Sequence, residues 1–264
     1  MNSHNWTRRT VIGGIATGLI TAVSGCTGSS DGVFEDVFVE ETALVLEFTS
    51  ESPVEKVNVI RPDGELFAER ELPAGSSRET IEIGTDYQPG EYEILGLEDG
   101  EERARESIVI EPDVQITDLR LGRNHPEAMY EDASDRVAQR EAIVTLENTG
   151  TGPDAATRLE FSGDVPRPTP DDYKESGIHD TDSDIRRHAD TITLTPGSEI
   201  VIYSRSMPFS SAGDEISCSP ESTEGEFETI VETSVQDEDT VATFNVTYTG
   251  EDLLECEIEL EVKS

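Results

Sequence analysis

Leu254-Glu255-Cys256-Glu257-Ile258-Glu259-Leu260-Glu261-Val262 alternates apolar and acidic side chains without a break. Successive side chains of a strand point to opposite faces of a sheet, so period two marks an extended segment with one buried face. On this reading Leu254, Cys256, Ile258, Leu260 and Val262 all face a core. The same alternation recurs upstream in Ala242, Phe244, Val246 and Tyr248, in Ala142, Val144 and Leu146, and in Leu44, Leu46 and Phe48. Turn chemistry separates the runs: Pro62-Asp63-Gly64, Pro73-Ala74-Gly75, Gln88-Pro89-Gly90, Glu98-Asp99-Gly100 and Pro196-Gly197. The pattern predicts an all-β protein.

The 264 residues hold 58 Asp and Glu against 19 Lys and Arg, a formal net charge of −39. Only Lys56, Lys174 and Lys263 are lysines. Nucleic acid is excluded as a partner, because phosphate binding needs clustered Lys and Arg. Docking on anionic lipid through a basic patch is excluded on the same ground. The hydrophobic share of 34% is low for a globular chain, yet its strand-like spacing favours a folded protein with a very acidic surface over a disordered one.

From Val33 to Glu111 about seven short strands fit a small β-sandwich. They include Val57-Asn58-Val59, Leu66 to Leu72, Ile81-Glu82-Ile83, Tyr92-Glu93-Ile94 and Ile108-Val109-Ile110. Glu111-Pro112-Asp113 is the expected boundary, since Pro112 cannot sit inside a central ladder. A second sandwich is expected over 112–264. Leu119 and Leu121 are out of phase with Val114 and Ile116, which calls for a bulge near Thr117-Asp118. Residues 124–140 are polar, with room for a short helical turn. An acidic insert, 163–190, interrupts the strands. The two halves share no recognisable sequence repeat.

Tyr87-Gln88-Pro89-Gly90-Glu91-Tyr92 resembles the Y-x-P-G-x-Y corner of immunoglobulin-like extracellular modules. Val144-Thr145-Leu146-Glu147-Asn148-Thr149-Gly150, with Leu194-Thr195-Pro196-Gly197 later, resembles the CARDB-like adhesion-related sandwich family. These resemblances imply two immunoglobulin-like sandwiches and a non-catalytic role. The residues agree with no enzyme assignment. There is no Gly-x-Ser-x-Gly elbow, no His-Glu-x-x-His and no phosphate-cradling glycine loop, and acid pairs are too abundant to single out a glycosidase dyad.

The first 25 residues read as a processing signal. Met1 to Thr10 carries Arg8 and Arg9 and no acid, and Val11 to Val23 is apolar or small throughout. That stretch is too short to span a bilayer, which takes about 20 apolar residues. Thr7-Arg8-Arg9-Thr10-Val11-Ile12 resembles a twin-arginine export signal, and Val23-Ser24-Gly25-Cys26 resembles a lipoprotein lipobox. Together with the acidity they resemble the secreted lipoproteins of haloarchaea. The resemblance implies lipidation at Cys26, a tether over 26–32, and anchoring to the outer face of the cytoplasmic membrane. Cleavage after residue 25 would remove two arginines and no acid, taking the charge from −39 to −41. The expected role is a surface binding or structural module with a protein or glycan partner. The alternative is an accessory subunit of an envelope transporter or redox complex.

With Cys26 lipidated, Cys218 and Cys256 remain as an even pair outside the cytoplasm. A disulfide is the natural reading there, and two buried thiols are the alternative. Asp180-x-Asp182-x-Asp184 has the spacing of the first three ligands of a calcium loop. The pattern then departs, with Ile185 where glycine belongs and Thr191 where a bidentate glutamate belongs. The readings are a Ca2+ site, the one cofactor the sequence suggests, or a solvated acidic loop. His179 and His188, nine residues apart, match no short metal motif. Asn245-Val246-Thr247 is an N-glycosylation sequon whose asparagine should face outward from its strand.

Overall fold

The computed structural model describes residues 32–170, 172–183, 187–210, 218, 222–250 and 256–263. The first seven strands are β1 (Phe34–Glu40), β2 (Ala43–Phe48), β3 (Lys56–Ile60), β4 (Leu66–Glu71), β5 (Arg78–Glu82), β6 (Gly90–Glu98) and β7 (Glu101–Ile110). They form a three-stranded sheet, β1-β2-β5, facing a four-stranded one, β4-β3-β6-β7. All pairings are antiparallel. Leu44, Leu46 and Phe48 of β2 meet Val57, Val59, Tyr92 and Ile94 from the other sheet, all at most 2% exposed. The corner before β6 is closed by the Tyr92 hydroxyl, which donates to the Gln88 carbonyl at 2.8 Å. That bond ties a strand to its own entry loop, as in the tyrosine corners of two-sheet sandwiches.

Glu111 to Asp113 lead into a second core. Its strands are β8 (Val114–Leu121), β9 (Ala142–Asn148), β10 (Asp154–Gly163), β11 (Ile192–Leu194), β12 (Glu199–Tyr203), β13 (Thr223–Thr233), β14 (Thr240–Thr249) and β15 (Glu257–Val262). The sheets are β12-β9-β8 and β11-β10-β13-β14-β15. Strand for strand this repeats the first core. β8, β9 and β12 stand where β1, β2 and β5 stood, and β11-β10-β13-β14 where β4-β3-β6-β7 stood, with β15 added at an edge. The duplication is one of architecture, carried by different residues. The β8 ladder slips between Ile116 and Asp118, where the phase change in the sequence demands it. The connection from β8 to β9 holds a 3-10 turn, Pro126–Ala128, and one helical turn, α1 (Asp135–Ala138).

The joint between the cores is built from the β9–β10 turn. Asn148 is fully buried and every polar atom of its amide is used. Oδ1 accepts from the Asp113 and Gly150 amides at 3.1 and 3.0 Å. Nδ2 donates to the carbonyls of Gly152 and Leu194 at 2.9 and 3.2 Å. The Gly197 amide donates back to the Asn148 carbonyl at 2.8 Å, so the asparagine turn and the Leu-x-Pro-Gly turn are one hydrogen-bonded unit. Thr151 reaches across to the first core through its hydroxyl, which donates to the Val109 carbonyl at 2.8 Å. A Cβ on Gly152 would collide with the Tyr87 hydroxyl, so only glycine lets the turn seat there.

One expectation needs correction. Val262 does not face the core; it is 73% exposed. β15 is the fifth strand of its sheet, opposite a sheet of only three, so burial fades from Ile258 through Leu260 to Val262. The insert also contributes to the second core, through Val165, Ile178 and Ala189.

Candidate functional site

The insert is fastened to the sandwich by its backbone. The Leu159 amide of β10 donates to the Ser176 carbonyl at 2.7 Å, and the Arg205 amide, just past β12, to the Gly177 carbonyl at 2.6 Å. The His179 amide donates to the Tyr203 carbonyl at 2.8 Å. Residues 178–180 then pair antiparallel with 187–189, with His179 opposite His188. Gly177 sits at φ +71°, and a Cβ there would run into the Leu159 carbonyl; this is where the chain needs glycine's freedom. The buried His179 ring stacks on Tyr130 with centroids 4.2 Å apart.

Between this fastened hairpin, Thr157 of β10 and Arg205 lies an open cleft of about 630 Å3. Lys174, Arg187 and Arg205 line it, with Glu175, His188 and Asp190. Many cations elsewhere sit against carboxylates: Lys56 against Glu69 and Glu71, Arg78 against Glu40 and Glu47, Arg105 against Glu93 and Glu102, Arg158 against Glu160 and Glu232; among the described residues Arg61, Arg123, Arg136 and Arg140 have no carboxylate against them. Among the described residues Lys174, Arg187 and Arg205 have no such partner. The Arg205 Nε is buried with no hydrogen-bond acceptor. A bound water, ion or ligand is a standard reason for such an orphan; Arg158 Nε is another, outside the cleft lining.

His188 Nε2 lies 2.5 Å from a Glu175 carboxylate oxygen, and its Nδ1 is buried without a hydrogen-bond partner. Burial pushes the His188 pKa below its ordinary 6.5, and Arg205 pushes the same way, while Glu175 opposes them. Burial thus favours the neutral ring, and in that form the contact with Glu175 places the proton on Nε2. That leaves Nδ1 as an unused acceptor. Among the described residues the lining holds no hydrogen-bonded nucleophile and base; it sets three cations beside two carboxylates and one imidazole.

The sequence-predicted site residues fall as follows. Cys218 and Cys256 are joined by a disulfide with Cα atoms 5.7 Å apart. Asn245 points to solvent from β14, between Glu226 and Glu261 of its neighbours, while Phe244 and Val246 point inward. Asp180 and Asp182 are linked by an amide-to-carboxylate bond of 3.1 Å, and Asp184 lies outside the described residues, as do Arg8, Arg9 and Cys26. Among the described residues no group of three His, Cys, Asp or Glu is placed to hold a metal ion.

Two features escaped the sequence reading. Asp154 is fully buried and accepts from the amides of Ala155, Ser234, Val235 and Gln236 at 2.7 to 3.0 Å; one aspartate among so many carries no signal. The cationic cleft gathers residues from 174, 187 and 205. Its only trace in the sequence is the scarcity of cations.

No family model matches the sequence, and no curated protein sequence does. Among solved structures, a two-domain fibronectin type III segment of chicken tenascin is similar over 88% of this chain and 99% of its own, at 12% identity and a TM-score of 0.30. The human OSCAR ligand-binding domain is similar over 86% of this chain and 92% of its own, at 9% identity and a TM-score of 0.22. A glycoside hydrolase family 2 member from Bacteroides cellulosilyticus is similar over 81% of this chain, at 13% identity and a TM-score of 0.23; the chain spans only 25% of that protein. The strand order itself defines the class: an all-β protein of two immunoglobulin-like sandwiches in tandem.

Proposed function

We propose that this chain is an exported lipoprotein, held by Cys26 at the outer face of the cytoplasmic membrane, that serves as a non-catalytic binding or structural module of the cell surface. The observation that carries this reading is the short distance between leader and fold. Val33 is already buried in the first core, so only Thr27 to Gly32 separate the lipobox cysteine from the sandwich. Six residues reach at most about 20 Å, which would hold the first sandwich close to the bilayer and present the second outward. An anchor carrying two acyl chains makes such attachment stable, whereas one chain gives only marginal binding.

The test is Cys26→Ser in cells, followed by fractionation. The variant should be released to the medium or accumulate as uncleaved precursor, while wild type stays with the membrane. A Cys26→Ser protein that is processed and still sediments with the envelope would overturn the anchor. Cross-linking in intact cells separates the two partner classes: glycan or neighbouring-cell material supports the surface module, and a reproducible integral-membrane partner supports the accessory subunit.

A further inference from the structure

We propose that the cleft between the insert and the end of β12 binds a monovalent hydroxycarboxylate, free or as the end group of a larger molecule, with its carboxylate on Arg205 and Arg187 and a hydroxyl donating to His188 Nδ1. This rests on the reading of the chain as a binding module and is independent of the lipid anchor.

Three observations converge. The first is electrostatic. In a chain where carboxylates outnumber cations about three to one, three cations without carboxylate partners among the described residues share one cleft. Arg61, Arg136 and Arg140 also lack a carboxylate partner; what sets Lys174, Arg187 and Arg205 apart is that they line one cavity, where a charge brought from outside meets all three. Arginine's planar fork suits a carboxylate, because it offers two parallel donors to two oxygens.

The second is hydrogen-bond accounting. The cleft carries one buried donor without an acceptor, Arg205 Nε, and one buried acceptor without a donor, His188 Nδ1. Leaving either unpaired costs free energy. An anion with no O–H, such as acetate or chloride, satisfies only the first. A molecule with both a carboxylate and a hydroxyl satisfies both, and the volume of about 630 Å3 admits one the size of a sugar acid.

The third is charge balance. Among the described lining residues, Lys174, Arg187 and Arg205 against Glu175 and Asp190, with His188 in the neutral form that burial favours, leave one net positive charge. A monoanion neutralises it. A dianion such as phosphate would overcharge it and bring its second charge beside Glu175 and Asp190, inside the field of a −39 molecule.

The experiment is calorimetric titration of the full chain in molar KCl at constant ionic strength with three probes: D-gluconate, with carboxylate and hydroxyls; acetate, with the carboxylate alone; and sorbitol, with hydroxyls alone. Gluconate should bind about tenfold or more tighter than either, the difference one good hydrogen bond makes. Arg187→Gln and Arg205→Gln should each weaken gluconate about tenfold, whereas Arg120→Gln, on a distant β8 cation paired with Asp118, should leave it unchanged. Arg187 is exposed, so its variant keeps the fold even if Arg205→Gln does not. A gluconate affinity no better than acetate's, or one indifferent to Arg187→Gln, overturns the site. Neither result bears on the fractionation of Cys26→Ser. If free gluconate binds, a gluconate-capped oligosaccharide of equal or greater affinity assigns the end-group form, and a weaker one assigns the free acid.

Discussion

Asn148 shows how one residue type can be dictated by its surroundings. Its carboxamide sits where two part-buried amides need an acceptor and two buried carbonyls need donors. Neither aspartate nor leucine answers both. Asn148→Ala would leave the buried Gly152 and Leu194 carbonyls without their donor and the part-buried Asp113 and Gly150 amides without their acceptor, so a loss of about 2–4 kcal/mol of stability is expected, read from denaturant midpoints in molar salt. The position was legible in advance because the motif carries its own logic: asparagine ends a strand, then glycine turns. Asp154 performs a similar service for the β13–β14 turn, yet nothing in the sequence distinguishes it from other acids. His188 offers a test of electrostatics. Its folded pKa is pushed below 6.5, so its NMR titration midpoint should fall there. Glu175→Gln should lower the midpoint further by removing a stabilising negative charge, and Arg205→Gln should raise it. Because the folded state resists this proton, stability should decline as pH drops from 6.5 toward the folded midpoint and stop changing below it.

At the scale of elements, the strands were readable and the insert was not. Alternation reports which face is buried, and it located β14 and β15, each with one wet face; it located β2 and β9 too, although these central strands of three-stranded sheets are buried on most of both faces. It misjudged Val262, since the end of an edge strand can keep the pattern after the opposing sheet has stopped. The insert hides its packing because Val165, Ile178 and Ala189 enter the core singly, with no period to read. β15 depends on more than its ladder. Cys256, immediately before it, is bonded to Cys218 across 38 positions. The Arg123 guanidinium donates to the Cys256 carbonyl at 2.6 Å, and the Asn124 amide to that of Ile258 at 2.9 Å. Closing a loop of that length stabilises a fold by about 4 kcal/mol through the entropy removed from the unfolded chain. Cys218→Ser with Cys256→Ser should therefore lower the stability of the second sandwich by roughly that amount and leave the first, which has no cysteine, unchanged. Differential scanning calorimetry, or hydrogen exchange at the β14 amides, checks the difference. Equal losses in both sandwiches would mean that they unfold as one unit.

At the scale of the whole molecule the dominant fact is like charge. On the outer face of the five-stranded sheet, Glu224 and Glu226 of β13 lie opposite Thr247 and Asn245 of β14, which lie opposite Glu259 and Glu261 of β15. Strands are about 4.8 Å apart, so carboxylates face one another across two strands at roughly 10 Å. Along β15, Glu257, Glu259 and Glu261 repeat every second residue, about 7 Å apart. Lys263 relieves Glu226, but with a net charge of −39 most such acids have no counterion of their own. The Debye length is about 10 Å at 0.1 M salt and about 3 Å at 1 M. At the lower value these neighbours still feel one another; at the higher they do not. The unfolded chain, being expanded, suffers less repulsion at either, so salt should favour the compact form. Salting-out ions add to this by strengthening burial of a modest apolar core. The protein should be folded in molar KCl or NaCl and lose much of its β-structure below a few tenths molar, with the disulfide-bonded second sandwich persisting longer than the first. Circular dichroism across a salt titration measures this directly. A spectrum and melting temperature that stay constant from low to molar salt would show that the acidity is not a high-salt adaptation, and that surface repulsion is already offset by the packing of the two cores.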